Sequence, residues 1–70
     1  MTSEVLWRKT LGGFRMELWQ SRGSIGYRYS MIFYIVAQPD AVSVTYLGED
    51  IEDAVELFQR KVRYHQSLMA

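Results

Sequence analysis

The sequence predicts an α+β domain: an antiparallel meander of three to four strands with one C-terminal helix packed across one face. Two observations carry that class. Apolar residues recur at every second position in several runs up to Leu47, and the spacing then changes from two to 3.6 at Ile51. The links between the runs are short, and the first two bear glycine, which suits hairpins rather than long crossovers.

The first strand is expected at about 4–9, around Val5, Leu6 and Trp7. Gly12-Gly13 then supplies a hairpin turn or bulge where positive φ is free of steric cost. The second strand, about 14–20, alternates Phe14, Met16 and Leu18 with Arg15, Glu17 and Trp19. Ser21 to Gly26 reads as a polar connection of hairpin type. The third strand, about 27–38, is the longest and is rich in aromatic and β-branched residues; Pro39-Asp40 is expected to end it. In the fourth, about 41–47, Val42, Val44 and Tyr46 alternate with Ser43 and Thr45.

The helix, about 50–66, starts with Asp50 near the N-cap and Asp53 at N3. Ile51, Ala54, Val55, Phe58 and Val62 form one apolar stripe aimed at the sheet. Acids crowd its first turns and Arg60, Lys61 and Arg63 its last, which complements the helix dipole; Glu56 and Arg60 add an i,i+4 pair. The inner layer is expected to join Phe14, Met16 and Leu18 to Tyr29, Met31, Phe33 and Ile35, and to Val42, Val44 and Tyr46. The opposite face then shows Arg15, Glu17, Trp19, Arg28, Ser30, Ile32, Tyr34, Val36, Ser43 and Thr45, a set more apolar than a solvated face needs.

Seventy residues make a single small domain, 49% apolar and 23% charged, which argues against disorder. A core of this size rarely supplies more than about 3–5 kcal/mol, and small domains offset this with disulfides, a metal or a partner. The absence of cysteine removes disulfides and thiolate zinc sites together, and the single histidine, His65, rules out a His-rich metal site. Self-association is the remaining support. The residues from Met1 to Lys9 lack a basic stretch followed by an apolar one, so no signal peptide is expected, and no apolar run is long enough for a membrane span. The expected location is cytoplasmic.

Net charge is zero but uneven. Residues 1–30 carry five cations against two acids, and residues 31–70 three cations against six acids. Such halves either attract each other within the fold or give it a basic and an acidic face.

No catalytic motif emerges. His65 sits among the last helical residues without a nucleophile or orienting acid in its sequence context, so a surface or C-terminal-turn histidine is the favoured reading. Glu49 with Asp53, and Glu52 with Glu56, could bridge a hard cation, but acids at a helix start are explained by the dipole. Gly23-Ser24-Ile25-Gly26 is a literal G-x-x-G, yet it lies between strands rather than between the helices of a KH domain. No cofactor or metal is expected.

Leu47-Gly48-Glu49-Asp50-Ile51-Glu52-Asp53-Ala54, with Phe58 beyond, resembles the strand-to-helix passage of AP2-type and integrase arm-type DNA-binding domains. The likeness is one of architecture and covers the last third of the chain. Their basic, Trp-bearing strands are partly echoed by Arg15, Trp19 and Arg28, while zero net charge weighs against phosphate binding.

The function expected is therefore a non-enzymatic protein–protein interaction module, homodimeric through the sheet face that the helix leaves free. Trp19, Ile32, Tyr34 and Val36 are its apolar anchors, with Arg15 and Arg28 as orienting charges. The alternative is nucleic-acid binding on a basic and aromatic sheet face through Arg15, Arg22 and Arg28.

Overall fold

The computed structural model describes residues 2–69. Four strands, β1 (Thr2–Leu11), β2 (Phe14–Gly23), β3 (Gly26–Ile35) and β4 (Gln38–Gly48), precede one helix, α1 (Ile51–Met69). The strands form one antiparallel sheet in the order β1-β2-β3-β4, and α1 packs across one face of it. This is the expected α+β meander, with all four strands present.

Two-residue turns drive the meander. Leu11 pairs with Phe14 around Gly12-Gly13, where Gly12 takes φ 61° at no steric cost. Gly23 pairs with Gly26 around Ser24-Ile25, so the G-x-x-G is a hairpin turn and β2 extends three residues beyond its expected end at Gln20. The third turn is Val36-Ala37. β3 therefore stops at Ile35, not Gln38, and Pro39 lies inside β4 rather than ending β3. An edge strand accommodates this proline because its missing N–H need not serve the ladder. The Val36 amide donates to the Gly13 carbonyl at 2.9 Å, tying the third turn to the first.

The register of β4 departs furthest from expectation. Ile35 pairs with Gln38, but the next pair is Tyr34 with Val42, so residues 39–41 oppose no partner on β3. An odd number of extra residues reverses which face each later side chain takes. Thr45 stands opposite Met31 and Ser43 opposite Phe33 under the helix, while Val42, Val44 and Tyr46 stand with Tyr34, Ile32 and Ser30 on the other face. Val44 is 64% exposed and Tyr46 57%. Their expected place in the inner layer, and that of Ser43 and Thr45 outside it, is thus corrected. Only Leu47, beside a second irregularity, brings a large apolar side chain from β4 into the core.

The core is small: Leu11, Met16, Leu18, Tyr29, Met31, Leu47, Ala54 and Phe58, flanked by Phe14, Phe33, Val55 and Val62. Ala54, Val55, Phe58 and Val62 come from the helical stripe as expected. Ile51 does not; at the first helical position it is 46% exposed. His65 is half-buried rather than on the surface, with its ring 5.3 Å from that of Phe33 and 5.4 Å from that of Phe14.

Asp50 caps α1. Its Oδ2 accepts from the Asp53 amide at 3.0 Å, and its carbonyl accepts the first helical bond from Ala54. Asp50→Ala is expected to lower stability by about 1 kcal/mol while Asp50→Asn retains most of it, read as the shift of the urea midpoint. The Glu56–Arg60 pair closes at 2.7 Å on the surface, where it adds only a few tenths of a kcal/mol.

Candidate functional site

No element among the described residues covers the second face of the sheet. Cross-strand partners share a face, so the pairing fixes what stands on it. Arg8 pairs with Glu17, Glu17 with Ile32 and Ile32 with Val44, making one row across all four strands. The next row joins Thr10, Arg15, Tyr34 and Val42; on the other side Val5, Trp19, Ser30 and Tyr46 line up.

Glu17 lies at the centre of this open face, yet it is only 5% exposed. Its neighbours bury it. Arg8 Nε donates to Glu17 Oε2 at 2.8 Å, Trp19 Nε1 to Oε1 at 2.9 Å, and the Tyr34 hydroxyl to Oε2 at 3.4 Å. Arg15 continues the network, with Nη1 donating to the Tyr34 oxygen at 3.1 Å, Nε to Thr10 Oγ1 at 3.2 Å, and its guanidinium 5.9 Å from the Tyr34 ring centroid. Burial by itself would raise the Glu17 pKa. The hydrogen bonds from Trp19 and Arg8, the Arg8 charge and the Tyr34 hydroxyl outweigh it and hold the carboxyl below its ordinary value. A carboxylate held ionised in this way is a poor proton donor at neutral pH. Among the described residues no buried side-chain nitrogen or oxygen lacks a partner, so the polar centre is satisfied from within the chain.

The structure brings together five of the six residues expected to form the interface: Arg15, Trp19, Arg28, Ile32 and Tyr34 share the open face. Val36 does not belong with them, because it sits in the β3–β4 turn. Nor does Arg22 share a face with Arg15 and Arg28. It pairs with Tyr27 on the helix side, its guanidinium 5.9 Å from that ring centroid, so the three arginines proposed for nucleic acid are divided between two faces. Beyond Ser30, a shallow trough of about 650 Å³ is lined by Ser21, Ser24, Arg28, Tyr46 and Glu49.

The chain matches no family model, no curated protein and no solved structure.

Sequence reasoning placed Glu17 on this face but missed its role, and it missed Arg8, Val5 and Thr10 altogether. A usable signal existed. Counting outward from a two-residue Gly12-Gly13 loop sets Thr10 against Arg15 and Arg8 against Glu17, an opposite-charge cross-strand pair. Among the described residues no group of three or more acids or histidines gathers as a metal site, and no helix is long and apolar enough to cross a membrane.

Proposed function

We propose that this protein is a non-enzymatic interaction module that dimerises with a second copy of itself through the open sheet face, in the cytoplasm. One observation carries the reading: a self-satisfied polar centre, Glu17 with Arg8, Trp19 and Tyr34, is bordered by apolar side chains that the β4 register turns outward. Interfaces of this kind cover an apolar area without stranding unpaired charge. Because the donors to Glu17 come from its own chain, covering the face leaves no partnerless carboxylate. Room is sufficient as well. The molecule measures 40 × 25 × 15 Å, and its broad face accommodates the roughly 800 Å² that each partner gives to a standard interface. The small core on the other side supplies a reason for a second copy to be needed.

Sedimentation tests the proposal. Val44→Glu places a charge on the most exposed of the outward-turned β4 residues, where folding does not depend on it. It is expected to halve the mass of the assembly formed by the unaltered chain. An unaltered mass in Val44→Glu, or a clean wild-type monomer at high micromolar concentration, overturns the reading.

The second reading, a nucleic-acid strand on the same face, is favoured by Arg15 and Arg28 standing there with the rings of Trp19, Tyr34 and Tyr46. It requires a retarded oligonucleotide whose affinity falls steeply with salt and is lost in Arg15→Ala with Arg28→Ala.

A further inference from the structure

The two edges of the sheet are unlike. β4 presents Pro39, which has no N–H, and two register breaks, devices that blunt an edge against further pairing. β1 is ten residues long, has no proline, and carries a single bulge where Leu6 is the extra residue between the Val5–Trp19 and Trp7–Leu18 pairs.

We propose that β1 pairs antiparallel with β1 of a second copy, about a two-fold axis between Leu6 and Trp7, joining two sheets into one. This interface is separate from the open face and leaves that face free, so the two can coexist. Full overlap of the strand with itself sets Thr2 against Leu11, Ser3 against Thr10, Glu4 against Lys9 and Val5 against Arg8, with Leu6 and Trp7 at the centre.

An unbroken strand of ten residues could not make this ladder. Each residue would face a partner an odd number of positions away, whose side chain and hydrogen-bonding groups point the other way. The Leu6 bulge removes the conflict. Through their β2 partners, Ser3, Val5, Arg8 and Thr10 stand on the open face, whereas Thr2, Glu4, Lys9 and Leu11 stand on the helix face. All four outer pairs therefore match in face. The same register places Glu4 opposite Lys9 twice, once on each side of the axis, an opposite-charge pair of the kind that supports cross-strand contacts. At the centre, Leu6 and Trp7 are 39% and 44% exposed, and Leu6 of each copy stands opposite Trp7 of the other. Because the contact is isologous it closes on two chains rather than running on into a fibre.

The chain has no cysteine, which makes the test direct. Glu4 and Lys9 are both exposed, so Glu4→Cys with Lys9→Cys leaves the core untouched. Within one strand the two thiols lie five positions apart, about 16 Å, too far for an internal bond. Mild oxidation of the double variant is expected to give a covalent dimer on a non-reducing gel, and mixing the two single variants is expected to give a cross-linked pair. Either single variant alone remains uncross-linked. The covalent dimer persists when Val44→Glu is added, which separates this contact from the sheet-face dimer. In a second arm, Lys9→Glu weakens association several-fold and mixing it with Glu4→Lys restores it. Absence of the covalent dimer in the double variant, equal cross-linking of Glu4→Cys alone, or a Lys9→Glu chain that associates like wild type overturns the proposal.

Discussion

Phe58→Ala is expected to leave the chain largely unfolded at 25 °C. Phe58 is the largest fully buried side chain, 1% exposed, with its ring 6.0 Å from that of Trp7 on β1. It lies at the middle of the apolar stripe with which α1 holds the sheet. Truncating a buried phenylalanine costs about 3–5 kcal/mol, the lost transfer energy plus a cavity that a one-helix layer cannot fill. A core of this size has about 3–5 kcal/mol to lose. Circular dichroism with a urea titration checks the expectation. The Ala variant should lack a folded baseline, whereas Phe58→Leu should keep one with a lower midpoint. An Ala variant with the wild-type midpoint would show that α1 contributes little to stability.

Glu17 carries the second large effect. Glu17→Ala is expected to cost about 2–3 kcal/mol, because the Trp19 Nε1–H and the Tyr34 hydroxyl lose a charged acceptor and Arg8 loses its counter-ion. Arg8 is half exposed and water compensates part of the loss, which keeps the figure below that of a fully buried pair. The pH dependence follows from the direction of the shift. The folded pKa lies below the ordinary value of 4.5, so the stabilisation is present in full above pH 4.5. It is lost as the pH falls below 4.5 through the depressed folded value. Urea midpoints measured from pH 7 to pH 3 should therefore fall more steeply for wild type than for Glu17→Gln. Equal slopes would mean that Glu17 does not sense the network.

What the sequence disclosed of this fold follows its local signals. The Asp50 cap, the helical stripe and the Gly12-Gly13 turn are each specified by residues within a few positions of one another and are found where expected, save that Ile51 stays exposed; the second glycine turn is shorter than expected, because β2 runs on to Gly23. β4 was misread because alternation states only which residues share a face, not which face it is. Continued regularly from Ile35–Gln38, the hairpin would set Val42 opposite Met31 and Val44 opposite Tyr29, beneath the helix. The three unpaired residues 39–41 reverse this, and no turn-forming glycine or asparagine at Val36-Ala37 marks where counting should begin. The candidate site was legible in part for the same reason. Strand periodicity puts Ile32 and Tyr34 on one face of β3, and Trp19 joins them because Phe14, Met16 and Leu18, the apolar set of β2, take the core side. The burial of Glu17 required knowing that Arg8 stands beside it, a relation between two strands rather than within one.

The slip at residues 39–41 also bears on how such a chain could change over generations. Loss of a single codon there would let the hairpin continue regularly from Ile35–Gln38, with Val42 opposite Ile32, Val44 opposite Ser30 and Tyr46 opposite Arg28, so all three would stay on the open face. The slip can thus be lost by one deletion with no change in which β4 side chains face outward, in a strand that tolerates irregularity because it lies at the edge.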